Sequence, residues 1–182
     1  MFKEGNKMQH EKMPSAKRQQ LIIQKLKQSD QPISGSDFAK LTNVSRQVIV
    51  QDVSILKAKN EPIIATSQGY LYLNEQTNNQ KQQVIACKHD ASQTQEELYL
   101  IVDHGVTIKD VIVEHPVYGD ITASIRVSNR KEADEFIKKI QSTDASYLSA
   151  LTNGIHLHTL ESDSIVKIEA ACKDLKNSGI LI

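Results

Sequence analysis

The sequence predicts an α+β chain of two domains, a small helical one closed by a β-hairpin and a larger two-layer one of order β-α-β-β-α-β-α. Three observations carry this. Apolar residues recur at helical spacing from Lys17 to Lys57 and then switch to alternation; the amide-rich stretch Asn74-Glu75-Gln76-Thr77-Asn78-Asn79-Gln80 holds no apolar residue; and beyond it strand and helix patterns alternate as far as Lys176. The expected boundaries are a flexible tail over 1–16, a first domain over 17–73, a linker over 74–80 and a second domain over 81–182. At 182 residues and 39% hydrophobic, the chain has enough apolar side chain for two cores. No apolar run approaches the roughly 18 residues of a membrane span, and Met1 to Arg18 lacks the apolar centre of a signal peptide, so a cytoplasmic protein is expected. Cys87 and Cys172 belong to no CxxC pair and read as small buried hydrophobes.

The net charge is zero, yet it divides unevenly: residues 1–73 hold 11 Lys and Arg against 6 Asp and Glu, and residues 74–182 hold 11 against 16. A basic module followed by an acidic one suits a polyanion partner for the first.

In the first domain, a helix from Lys17 turns Leu21, Ile22 and Leu26 to one side and ends at Ser29-Asp30-Gln31-Pro32. A short helix over Gly35–Leu41, capped by Ser34 or Ser36, is expected to face Phe38 and Leu41 inward. After Thr42-Asn43-Val44, Ser45 caps a third helix running to Lys57, with Ile49, Val53 and Leu56 as its core face. Two helices joined by so short a turn form a helix-turn-helix, whose second helix lies in the DNA major groove. There Arg46 can donate to guanine, Gln47 and Gln51 can pair with adenine, and Val50 can touch a thymine methyl. Ser45, Lys57, Lys17 and Arg18 are the candidate phosphate contacts. Ile63 to Thr66 and Tyr70 to Leu73, flanking Ser67-Gln68-Gly69, read as a hairpin placed like a wing.

In the second domain, strands are expected over 83–88, 106–114 and 121–127, with a helix capped by Ser92 and a second capped by Ser128 or Asn129 that carries Ala133, Phe136, Ile137 and Ile140. Gly154-Ile155-His156-Leu157-His158-Thr159 is the remaining strand, before a last helix over 163–176. Alternation along it puts His156 and His158 on one face, about 7 Å apart, where two imidazoles can converge on one ion.

The segments Pro32 to Ala39, Val44 to Asp52 and Ala65 to Tyr70 resemble the winged helix-turn-helix of the NiaR family of nicotinate-responsive repressors. Residues 83–176 resemble that family's 3H domain, most closely at Leu151 to Leu160 and His115-Pro116-Val117-Tyr118-Gly119-Asp120. The resemblance implies an HPr-like topology for the second domain, repression of NAD biosynthesis genes, and nicotinic acid as co-repressor. It also implies a metal held by His89, Glu97, His156 and His158, while the modest specificity of a single winged helix calls for a homodimer, built through the second domain, on palindromic operator DNA. Three imidazoles and a carboxylate suit zinc first, with nickel or iron as alternatives. Glu96 is the reserve for Glu97, while His104 and His115 are expected outside the ligand set. His115, Tyr118 and Arg126 are candidate second contacts to the bound acid. The competing readings are a metal-dependent hydrolase fused to a DNA-binding module, a biotin-type repressor, and a repressor sensing another small carboxylate. No HExxH, Walker or GxGxxG pattern is present to favour catalysis.

Overall fold

Two serines and two asparagines delimit the first helices. In a computed structural model that describes residues 12–73 and 80–182, α1 (Ser15–Lys27), α2 (Gly35–Thr42) and α3 (Arg46–Ala58) are followed by β1 (Ile63–Ala65) and β2 (Tyr70–Tyr72). The Ser34 side chain accepts from the Asp37 N–H at the start of α2, and Ser45 accepts from the Val48 N–H at the start of α3. Each such cap is worth about 1 kcal/mol. Asn43 and Asn60 take left-handed conformations, φ 52° and 65°, after α2 and α3. α1 starts at Ser15, two residues before the expected position, and the expected tail over 1–11 and linker over 74–79 lie outside the described residues.

Ile22, Leu26, Phe38, Ile49, Val53, Leu56, Ile63 and Tyr70 form the first core. Leu41, expected inside, is 54% exposed: Phe38 and Thr42 set the buried face of α2, and Ala39 lies inside in its place. β1 and β2 pair antiparallel, Ala65 opposite Tyr70. Gly69, at φ 152°, lets the hairpin approach Ile33, whose carbonyl oxygen would lie 2.5 Å from a Cβ there.

Arg18 is a correction to the sequence reading. It is buried, with its guanidinium on the Asp52 carboxylate and on the Met13 carbonyl, and is therefore a tie between α1 and α3 and not a DNA contact. Burial pushes the Asp52 carboxyl up, but hydrogen bonds from Arg18, Gln19 and Ser15 outweigh it and hold the group below its ordinary value.

The second unit contains β3 (Lys81–Lys88), α4 (Thr94–Val102), β4 (Thr107–His115), β5 (Gly119–Val127), α5 (Arg130–Ser142), β6 (Ile155–Ser162) and α6 (Ile165–Asn177). Its sheet is antiparallel with strand order β3-β6-β4-β5. One face, carrying Ile85, Cys87, Ile108, Ile125, Val127 and Leu160, packs with the apolar sides of α4, α5 and α6 into a single core. The other face leaves Val84, Ile155 and Leu157 exposed. The cap before α4 is Asp90 and not Ser92: its carboxylate accepts the Ser92 N–H and opens a 3₁₀ turn, Ala91–Gln93, that runs into the helix. Asn129 caps α5.

Replacing Asp52 with Ala strands the Arg18 charge in the first core. The expected cost is about 3–5 kcal/mol, read as lost hydrogen-exchange protection of the Ile22 and Ile49 amides in the full chain. Because folding depresses the Asp52 pKa, its contribution is complete above roughly pH 4. It is lost as pH falls through the folded value, so the gap between wild type and Asp52→Ala closes in acid.

Candidate metal centre and nucleic-acid interface

The first turn of α3 projects its polar residues outward. Arg46, Gln47 and Gln51 are exposed and Val50 is half-buried, so that Gln47, Val50 and Gln51 fall on one stripe opposite the buried Ile49 and Val53. Lys17 and Lys57 are exposed as expected. Ser45 is exposed too, with its hydroxyl on the Val48 N–H. A helix that shows this set to solvent has donors and acceptors for base edges and cations for phosphates.

The second unit gathers its histidines around one carboxylate. Alternation in β6 turns His156 and His158 into the core while Ile155 and Leu157 face out, and His89 follows the last residue of β3 directly beside Gly154, the residue before β6. Glu97, in the first turn of α4 and 1% exposed, reaches all three. Its Oε2 lies 2.8 Å from His89 Nε2, its Oε1 lies 3.1 Å from His156 Nε2, and His158 Nε2 lies 3.4 Å from Oε2 without forming a hydrogen bond. Adjacent imidazole rings stand edge to face at 4.9 and 4.8 Å.

The other nitrogen of each ring explains the orientation. His89 Nδ1 sits 2.7 Å from the Asp90 carbonyl, His156 Nδ1 2.9 Å from that of Gly154, and His158 Nδ1 2.7 Å from that of Asp110. A carbonyl only accepts, so each Nδ1 carries a proton and donates it. In the neutral ring Nε2 is then a lone pair. Three lone pairs and a carboxylate aimed at one point repel one another unless cations lie between them.

In the metal-free protein those cations are protons. Burial pushes His89 and His158 down, but Glu97 outweighs it and raises both. Burial pushes Glu97 up, and the surrounding His158, His156 and His89 hold it well below the ordinary carboxylate range. A divalent ion satisfies the same set more simply. Donors about 2.1 Å from a tetrahedral ion stand ~3.4 Å apart, close to the separations above, and backbone carbonyls behind ligating imidazoles are the usual second support. The residues therefore suit a transition metal.

Gly154 makes this closure possible. It sits at φ 89°, and a Cβ there would fall 2.2 Å from the His89 carbonyl oxygen. Its own carbonyl accepts from the His89 N–H and from His156 Nδ1.

One donor escaped the sequence reading. Cys87, fully buried and paired in register with His156, places its sulfur with Glu97 and His156 donor atoms within 4.8 Å of one another, a group able to hold a metal. Burial, then the neighbouring Glu97 charge, pushes its thiol far up, so it is protonated in the metal-free protein. The inward alternation of Ile85 and Cys87 was the available signal. Glu96, the reserve for Glu97, is exposed.

The remaining candidates lie apart from the cluster. His104 pairs with Asp174 at 2.8 Å. His115 Nδ1 accepts the Val117 and Tyr118 N–H groups and orders the β4–β5 turn, with Tyr118 77% exposed against it. Arg126 lies 3.8 Å from Glu161. None of His115, Tyr118 and Arg126 lines the cavity beside the histidines, which is walled by Phe136, Tyr147 and Leu148 among others.

Residues 18–71 match an HTH domain family and residues 82–182 the 3H domain family. The chain is 56% identical over 173 residues to the transcription repressor NadR of Bacillus subtilis, spanning 94% of this chain and 96% of that protein. It is 37% identical over 173 residues to the probable transcription repressor NiaR of Thermotoga maritima, spanning 95% and 98%. An uncharacterized protein of Methanothermus fervidus is 26% identical over 106 residues, 54% of this chain and 16% of its own.

Glu97→Gln and His158→Ala are expected to weaken Zn²⁺ binding by about 100-fold or more in a chelator competition, with His104→Ala and His115→Ala unchanged. A metal bound at this set would displace the protons held by His89 and His158, so its uptake would release protons. Affinity should therefore rise with pH through and above the ordinary histidine range of about 6.5.

Proposed function

Because the chain belongs to the NadR/NiaR family of transcription repressors, we propose that it represses genes of NAD biosynthesis and niacin uptake in the cytoplasm, with nicotinic acid as co-repressor sensed at a divalent metal in the second domain. The observation that carries the sensing half is the convergence of three backbone-anchored imidazoles on buried Glu97. Zinc suits the set best, with nickel or iron as alternatives. His89, Glu97, His156 and His158 would hold the ion, which supplies a Lewis-acidic position open to a carboxylate or a pyridine nitrogen.

Operator reading falls to α3: Arg46, Gln47, Val50 and Gln51 meet base edges, and Ser45, Lys57 and Lys17 meet phosphates. A single module of this size gives modest specificity, so two copies on a palindrome are required. The bare sheet face, with Val84 56%, Ile155 46% and Leu157 37% exposed, supports a homodimer formed through the second domain. Nicotinic acid then raises DNA affinity by favouring the dimer geometry in which both α3 helices match the groove spacing. Catalysis is not part of this reading, and the relatives are named as repressors.

The expected gel-shift result is that nicotinic acid tightens binding to a promoter of an NAD-biosynthesis gene at least tenfold with metal-loaded protein, and has no effect after chelation. Equal enhancement in both states removes the metal from the account. Val84→Glu and Leu157→Glu are expected to give monomers in light scattering at micromolar concentration and weaker binding to a two-half-site operator. Dimers of unchanged affinity would place the interface elsewhere.

A further inference from the structure

The residue that the histidines surround most evenly is a cysteine. In the β3–β6 register Cys87 lies directly opposite His156, and Ile85 lies opposite His158. Directly opposed Cβ atoms stand ~4.5–5.5 Å apart and diagonal ones ~7–8 Å, while residues two apart on one strand stand about 7 Å apart. Cys87 is therefore opposite one imidazole, diagonal to His158 and two residues from His89. Glu97 reaches in from α4, and Cys87 Sγ, a Glu97 carboxylate oxygen and a His156 ring nitrogen all lie within 4.8 Å of one another.

A cysteine that only fills a core needs only apolar neighbours. This one is fully buried with a carboxylate and an imidazole beside it, and the C-terminal segment covers the strand edge: Leu181 bridges Cys87, and the Ile182 N–H donates to the Ala86 carbonyl. Sealed in this way, the sulfur meets the cluster and not solvent. A second observation points to an ion at the same place. His158 Nε2 is buried and makes no hydrogen bond, although it lies 3.4 Å from Glu97 Oε2. The spacing also fits. A nitrogen at ~2.1 Å and a sulfur at ~2.3 Å on opposite sides of one ion are ~4.4 Å apart, so donors within 4.8 Å of one another close on an ion with shifts of about a few tenths of an ångström.

We propose that Cys87 is a sulfur ligand of the ion, a further donor beside His89, Glu97, His156 and His158. The inference rests on reading the cluster as a metal centre, and goes beyond it by adding the donor that sets the class of metal. On coordination the S–H proton passes to solvent and the sulfur gives the ion a lone pair, since a coordinating thiol is held as the thiolate. A thiolate favours zinc, cobalt and nickel over manganese and magnesium, which imidazoles and a carboxylate alone separate less sharply. On a six-coordinate ion this set leaves a position for a small acid. Cys172, half-buried on α6 and outside the group, is the natural control.

The test loads the full chain with cobalt(II) and, separately, with zinc, for wild type, Cys87→Ala and Cys172→Ala, and determines the metal content of each. Wild type and Cys172→Ala should show a near-ultraviolet sulfur-to-cobalt charge-transfer band, and zinc-edge X-ray absorption should find one sulfur at ~2.3 Å. Cys87→Ala should still bind one metal per chain and lose both signatures. Its zinc affinity should fall about 10-fold or more in a chelator competition, while its manganese affinity changes less. The wild-type spectra decide the point even where a variant does not fold. One metal bound by wild type with nitrogen and oxygen neighbours alone would overturn the sulfur ligand and leave the metal centre standing. Signatures that survive in Cys87→Ala and vanish in Cys172→Ala would overturn it as well. A wild type that binds neither cobalt nor zinc would remove the metal reading itself, and this inference with it.

Discussion

A carboxylate sealed in a protein interior has to be compensated, and the second domain is built around one. Unpaired, Glu97 would cost several kcal/mol. The fold surrounds it with His89, His156 and His158, each anchored behind by a backbone carbonyl. That anchoring removes the freedom of the rings to turn away: protons neutralise the cluster, and a divalent ion bound there would replace them. Every other element of the site follows from keeping three Nε2 atoms aimed at one point.

The anchors come from separate parts of the chain, which ties the site to the whole domain. Asp90 opens the turn into α4, the helix that carries Glu97. Gly154 closes against His89 and receives His156, at a backbone angle and an approach that exclude a side chain. The β4–β6 register shifts between Ile108 and Asp110, and while the Asp110 carbonyl accepts from His158 its carboxylate accepts the Thr159 N–H. A ligand or ion that shifts the cluster therefore bears on β3, β4, β6 and α4 together. β6 also carries Ile155 and Leu157 exposed on the opposite face, so in the proposed function one strand would join sensing to assembly.

Much of this was legible in the sequence, for identifiable reasons. Strict alternation in Ile155-His156-Leu157-His158 fixes which side chains share a face, and serine before a helical period fixes a cap, so the β6 face and the α3 start follow from local rules. The resemblance added His89 and Glu97, which no spacing links to His156. What escaped were contacts set by tertiary packing. Arg18 has the composition of a DNA contact but lies buried on Asp52. Leu41 has the composition of a core residue but lies out because Phe38 and Thr42 set the face of α2. Cys87 looked inert until pairing with β6 set it beside His156, and Tyr147, in an irregular segment with no periodicity, gave no signal that it lines a cavity.

The claim on which the sensing account rests is that one ion sits at the Glu97 cluster, and anomalous diffraction from crystals of the zinc-loaded protein tests it most directly. The account predicts a single strong peak per chain within coordination distance of His89 Nε2, Glu97, His156 Nε2 and His158 Nε2, with each Nδ1 still on its carbonyl. A peak at any other set of residues, or none at full zinc loading, would contradict it.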